Sequence, residues 1–268
     1  MLAKLKCFFG SLFLRLSCFI SRPSPPLTLL GKTIIITGAN SGIGFAAAKA
    51  LVQRGAHVIL ACRDLSSAFK AKQAILSSVA NNASIDSQNV EVKPLDLSDF
   101  ESIRAFAADI SSCDVLINNA GIMLNSSHSN SSNLTMRTNH LGPFLLTNLL
   151  LPTIRRTALN SGKECRIINV ASRLEKVAKF DEKNMPILAW LSGQSPSSSS
   201  SSPSSSSPPW SGMTLYANSK LCNLLMTFEL HRRLQREEGN KEIITVNAMT
   251  PGAHKVLLKA TNNVVLSI

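Results

Sequence analysis

A chain of 268 residues, 44% of them apolar, is long enough for one α/β domain with a sizeable core and does not require two. Its formal charge of +12 is unevenly placed: no Asp or Glu precedes Asp64, whereas Lys4, Lys6, Arg15, Arg22, Lys32, Lys49, Arg54 and Arg63 do. Such a basic leader points to an anionic membrane surface or a targeting system. No basic helix or aromatic-interleaved patch follows, which argues against nucleic acid as a partner.

Residues 1–30 read as a segment of their own. A short basic stretch (1–6) precedes an apolar run (7–20) that Arg15 interrupts and that Pro23, Pro25 and Pro26 terminate. The run is shorter than the roughly 20 residues that span a bilayer. A signal anchor, a transit peptide and an interfacial helix all remain open. The expectation is membrane association, at the endoplasmic reticulum or an organellar envelope, with transit-peptide import into an organelle as the alternative.

Residues 31–268 form the expected domain. Strands are predicted over 33–37, 57–61, 90–94, 114–118, 165–171 and 243–248. Helices are predicted over 43–54 (closed by Gly55), 65–79, 134–159 and 215–238. A further helix runs to Ile110, with Ser98 as its N-cap and Glu101 completing a capping box. This alternation predicts an α/β fold with a doubly wound parallel sheet. A tract of Ser and Pro at about 193–212 cannot bury enough apolar surface to offset its ordering entropy, so it reads as a disordered insertion. Cys7, Cys18, Cys62, Cys113, Cys165 and Cys222 are scattered without C-x-x-C or metal-ligand spacing, and read as free thiols.

The turn Thr37-Gly38-Ala39-Asn40-Ser41-Gly42-Ile43-Gly44 lies between the first strand and helix. Glycines there let the backbone bend tightly against a pyrophosphate, which the helix N-terminus stabilises with free N–H groups and its dipole. At the end of the second strand stand Cys62 and Arg63. Dinucleotide sites for NAD commonly carry an acid here, to bind the ribose 2′-hydroxyl. A guanidinium instead suits a 2′-phosphate through paired charge-assisted hydrogen bonds, with Asn40 and Ser41 adding polar contacts. NADP(H) is therefore expected over NAD(H), although Asp64 follows immediately.

Tyr216, the only tyrosine, precedes Lys220 by four residues on a predicted helix, so both side chains share one face. A free phenol, with a pKa of about 10, is a poor base at neutrality. A nearby ammonium and a positively charged nicotinamide favour the phenolate, and lowering the pKa by about three units takes roughly 4 kcal/mol. Tyr216 could then exchange a proton with an alcohol or carbonyl. Ser172, at the end of the fifth strand, is placed to hydrogen-bond the substrate oxygen where charge develops.

Taken in order, T-G-x-x-x-G-x-G, Asn118-Asn119-Ala120-Gly121, Tyr216-x-x-x-Lys220 and Pro251-Gly252 resemble the signatures of the short-chain dehydrogenase/reductase family, from about residue 31 to 252. Ala61-Cys62-Arg63-Asp64 and the run from Asn139 through His140, Leu141 and Gly142 resemble its retinol dehydrogenase branch, which acts on apolar carbonyls and alcohols. The resemblance implies a Rossmann fold. It also implies a cofactor site at Gly38, Asn40, Ser41, Gly42, Ile43, Gly44, Arg63, Asp96, Leu97, Asn119, Ala120, Gly121, Tyr216, Lys220, Pro251 and Gly252, with Asp96 and Leu97 bordering the adenine. The implied catalytic set is Ser172, Tyr216, Lys220 and Asn139. Lys220 would hold the nicotinamide ribose, and Asn139 would hold a water beside the lysine.

Family members continue past the Pro-Gly turn with substrate-covering helices and a last strand. Here that continuation is not recognisable. The expectation is a cofactor half with a largely missing substrate half, and residues 243–248 as an exposed edge. Two functions follow. One is an NADP(H)-dependent oxidoreductase acting on a lipophilic alcohol or carbonyl, such as a retinoid or sterol, with a homo-oligomer open. The other is an inactive cofactor-binding scaffold or regulatory protein.

Overall fold

A computed structural model describes residues 28–80, 85–124, 131–178, 212–238 and 243–251. The leader, the Ser/Pro-rich tract and Gly252 lie outside the described residues. Six parallel strands run β1 (Thr33–Thr37), β2 (His57–Cys62), β3 (Val90–Pro94), β4 (Val115–Asn118), β5 (Cys165–Val170) and β6 (Ile244–Met249). They stand in the order β3-β2-β1-β4-β5-β6. The direction of strand addition reverses between β1 and β4, and ligands of open α/β sheets bind outside the carboxyl ends of the strands at such a switch point.

The sequence of β1 shows why this sheet is parallel and central. Ile34, Ile35 and Ile36 are consecutive and all fully buried, which only a strand covered on both faces requires. Ile34 and Ile36 face one core, with Ala47, Ala48 and Leu51 of α1 (Gly42–Val52) and Ala68, Ala71 and Ile75 of α2 (Leu65–Ser78). Ile35 faces the other. There it meets Ile103 and Phe106 of α3 (Phe100–Ala108) and Leu146, Leu150 and Ile154 of α5 (Gly142–Ser161). A short α4 (Ser131–Met136) leads into α5, and the long α6 (Gly212–Glu238) lies beside it, with Leu234 in the same core.

Three expectations need correction. The cap of α3 is Asp99, whose carboxylate accepts from Glu101 N at 3.0 Å. Ser98 stands one residue before that cap, with its hydroxyl turned to donate to Asp96 at 2.6 Å, so no Ser98/Glu101 capping box forms. Residues 134–159 are not one helix. A π-helical turn, Arg137–Leu141, separates α4 from α5, which runs on to Ser161. Its origin is legible: Pro143 has no N–H, so the Asn139 carbonyl lacks its α-helical donor. The Gly42 start of α1 and the Gly212 start of α6 also fall one and three residues before the predicted ones.

Among the described residues β6 pairs with β5 alone. A partly buried ion pair ties β1 to the start of β4. Lys32 reaches Asp114 at 2.6 Å, and the other oxygen of that carboxylate accepts from Thr33 N at 2.9 Å.

Candidate active site

At the switch point the turn after β1 forms an open cradle. Gly38 and Gly42 have φ of +64° and +56°, where a Cβ would be strained. A Cβ on Gly44 would stand 2.5 Å from the Gly38 carbonyl and from Asn119 Nδ2. The cap of α1, Ser41, makes no side-chain hydrogen bond to the helix, and no acid lies in its first turn. The free N–H groups and positive dipole end of α1 therefore meet no competing anion, so the cradle fits a pyrophosphate.

Thr37 builds the cradle, a role the motif alone did not assign to it. Its buried Oγ accepts from both Asn119 N and Ala120 N at 3.0 Å, locking the end of β4 to the end of β1. Asn119 returns the contact, with Nδ2 donating to the carbonyls of Thr37 (2.9 Å) and Gly38 (3.3 Å). The Cys62 thiol accepts from the backbone of Ala39 and Asn40, and burial pushes its pKa up.

Arg63 and Ser41 are exposed at the rim, with Asn40 and Ile43 half-buried. Asp64 is already committed: it caps α2, accepting from Ser66 N at 3.0 Å, from Ser67 N at 3.3 Å and from the Ser67 hydroxyl. Those hydrogen bonds hold its carboxyl below the usual range. Asp96 is half-buried and accepts from Ser98 N at 2.8 Å. Leu97 sits in the core, with its carbonyl where a Cβ on Gly142 would collide.

The chemical groups converge from β5 and α6. Ser172 follows β5, and its Oγ accepts from Leu174 N at 3.3 Å and hydrogen-bonds Tyr216. Lys220 is 2% exposed, donates to the Val170 carbonyl at 2.9 Å and lies 5.5 Å from the centre of the Tyr216 ring. Burial pushes its pKa down to about 8. For Tyr216 burial also dominates and raises the pKa, with the Ser172 hydrogen bond pulling it partly back. The expected lowering rests on a nicotinamide charge as well as on the ammonium; in the folded chain alone, burial of the phenol outweighs the Ser172 hydrogen bond. Gly121 leaves room for the lysine, since a Cβ there would stand 3.3 Å from Nζ.

Asn139 is fully buried within the π-turn. Its Oδ1 accepts from Ile122 N at 2.8 Å, while Nδ2 donates to the Ile122 carbonyl at 2.8 Å and to Ser219 Oγ at 3.0 Å. The side chain is thus spent on bracing, and only the main-chain carbonyl could hold a water. Pro251 is half-buried at the end of the described chain.

The sequence model of the short chain dehydrogenase family matches residues 32–182. The chain belongs to this family. A second, shorter match, to the CAP N-terminal conserved motif, covers residues 169–209 and ends in the Ser/Pro-rich tract. Human retinol dehydrogenase 13 is 37% identical to this short-chain dehydrogenase over 240 residues, 86% of the chain and 61% of the relative. Human retinol dehydrogenase 11 is 38% identical over 213 residues, 77% and 58%. The chloroplastic short-chain dehydrogenase TIC 32 B of Brassica napus is 36% identical over 231 residues, 82% and 63%. The retinol dehydrogenase-like resemblance is borne out by these relatives, and the chain spans less than two thirds of the length of each.

Among solved structures, a protein from Mycobacterium Paratuberculosis aligns with TM-score 0.63 at 34% identity, covering 84% of this chain and 70% of its own. The RhlG/NADP active-site complex of Pseudomonas aeruginosa aligns with TM-score 0.62 at 22% identity, covering 85% and 75%, and shows the fold alone. The overall fold is shared with both.

Proposed function

We propose that this short-chain dehydrogenase is an NADP(H)-dependent oxidoreductase acting on a lipophilic alcohol or carbonyl. The observation that carries the reading is the convergence of Ser172, Tyr216 and Lys220 beside an anion-accepting cradle. When bound, the nicotinamide would supply or accept the hydride. Gly38, Gly42 and Gly44 would admit the pyrophosphate, and Lys220 would hold the ribose. Tyr216, kept protonated by burial, gives its phenolic proton to the carbonyl oxygen in the reductive direction. Ser172 Oγ steadies that oxygen as charge develops.

Preference for NADP(H) is supported by Arg63 at the rim and by the commitment of Asp64 to the α2 cap, which turns the nearest acid away from acting as a 2′-hydroxyl acceptor. An apolar substrate is supported by exposed Met123, Val177 and Met213, on the three segments that bear Gly121, Ser172 and Tyr216. Membrane or organellar location rests on the basic-apolar leader and on the chloroplastic relative; among the described residues no helix is long and apolar enough to cross a membrane.

The test is to titrate the full chain with NADPH and follow reduction of all-trans-retinal, with Tyr216→Phe alongside. Parent turnover with binding but no turnover in the variant supports the reading. NADPH binding by the parent without reduction of any apolar aldehyde would instead support the scaffold function.

A further inference from the structure

α6 carries a polar stripe through the core. Tyr216, Ser219, Lys220, Asn223 and Thr227 fall on one helix face, and the last four are between 0 and 5% exposed. Tyr216 and Lys220 have roles in the proposed chemistry. Asn223, which that chemistry does not use, makes two of the contacts that join this helix to the π-turn, beside the bond from Asn139 to Ser219.

The first contact answers a defect written in the sequence. Pro143 cannot donate to the Asn139 carbonyl, and the π-turn instead bonds Gly142 N to the Arg137 carbonyl. The carbonyl left over, Asn139 O, accepts from Asn223 Nδ2 at 2.8 Å. The second contact fixes which way the amide points. Asn223 Oδ1 lies 2.9 Å from His140 Nδ1. A carbonyl can only accept, so Nδ2 must face Asn139 and Oδ1 must face a protonated Nδ1 of His140. Burial lowers the pKa of His140, which leaves the ring neutral with its hydrogen at Nδ1.

We propose that Asn223, oriented by His140, is a positioning residue that docks the π-turn on α6 and so sets the placement of Tyr216 and Lys220. The coupling runs through a chain of hydrogen bonds. Asn139, held by Asn223, reaches Ser219 Oγ at 3.0 Å, and that hydroxyl donates to the Tyr216 carbonyl at 2.7 Å. The same Asn139 side chain clamps both main-chain groups of Ile122, next to the Gly121 against which Lys220 Nζ rests. Losing Asn223 frees one end of this brace without deleting any group that touches cofactor or substrate.

The inference rests on the oxidoreductase reading, and its test separates the two. In the full chain, Asn223→Ala should lower kcat about 10–100-fold, the scale of an ångström-sized misplacement of reacting groups. The NADPH Kd should change less than about threefold, because the cradle is untouched. Pro143→Ala restores a backbone N–H to Asn139 and should recover most of the loss in the Asn223→Ala background, a coupling that a double-mutant cycle reads directly. Asn223→Asp keeps the shape and the His140 contact but removes the donor, and covers the case in which Asn223→Ala does not fold. If the parent shows no turnover, the oxidoreductase reading fails and the brace is read without it. Hydrogen exchange at Ile122 N, which donates to Asn139, should then quicken at least about tenfold in Asn223→Ala and return with Pro143→Ala. Retention of kcat within twofold, or a loss that is the same with and without Pro143→Ala, overturns the proposal; in an inactive parent, unchanged exchange does so.

Discussion

Replacing Thr37 with Val tests the cradle at its least conspicuous member. The substitution keeps the β-branched shape, so the packing of a fully buried side chain is little disturbed. It deletes the oxygen that accepts from Asn119 N and Ala120 N, both at 3.0 Å. Asn119 N keeps a second acceptor in the Ile117 carbonyl at 3.0 Å, so Ala120 N alone loses its partner, and a buried unpaired group costs about 1–3 kcal/mol. Asn119 Nδ2 still bonds the Thr37 carbonyl at 2.9 Å, which argues for the lower part of that range, about 1–2 kcal/mol. For a domain of this size about 1 kcal/mol moves Tm by roughly 2–4 °C, so a fall of roughly 2–8 °C is expected. Thr37→Ser keeps the acceptor and should stay within about 3 °C of the parent. Differential scanning fluorimetry with and without NADPH measures both, and the Val variant should also gain less from added cofactor. A Val variant as stable as the parent, with the same NADPH-induced shift, would refute the assignment of these two hydrogen bonds as the brace of the cradle.

Arg63→Ala should raise the NADPH Kd by about tenfold or more and leave NADH nearly unchanged, since a charge-assisted hydrogen bond contributes about 1.5–3 kcal/mol; equal weakening by titration removes Arg63 from the 2′-phosphate. Lys220 predicts a pH dependence of stability. Burial holds its folded pKa at about 8, below the ordinary 10.5, so between those values the unfolded chain binds more protons and stability from this group rises with pH. As pH falls through 8, the buried ammonium becomes a constant penalty. Relative to Lys220→Met, the parent should gain up to about 1.4 kcal/mol per pH unit within that window. Urea unfolding of both proteins at pH 8, 9 and 10 reads this, and a constant difference rejects it. A fluorescent fusion of residues 1–30 should be drawn to a membrane or organelle, and a diffuse cytosolic signal counts against that address.

Much of this protein follows from local sequence. The consecutive isoleucines of β1 announce a strand buried on both faces, and the glycines after it announce a turn no other residue could make at positive φ. Tyr216 and Lys220 need only helical spacing to share a face. Pro143 announces that the helix around Asn139 cannot be regular, although the unbroken helix expected over 134–159 overlooked it. Tertiary structure decided what those signals connect to. Ser98 looked like a cap until Asp96, two residues earlier, captured its hydroxyl and left the role to Asp99. Asp64 looked like a rival to Arg63 until α2 drew its carboxylate into a cap. The direction of the Tyr216 shift depended on how far the folded chain buries the phenol, because desolvation and the Ser172 hydrogen bond act in opposite senses on a phenolate and only packing sets their balance. Thr37 and Asn223 have ordinary sequence neighbours. Their functions lie in partners more than eighty residues away, on β4 and in the π-turn, which only the closed sheet and the packing of α6 against it bring within hydrogen-bonding distance.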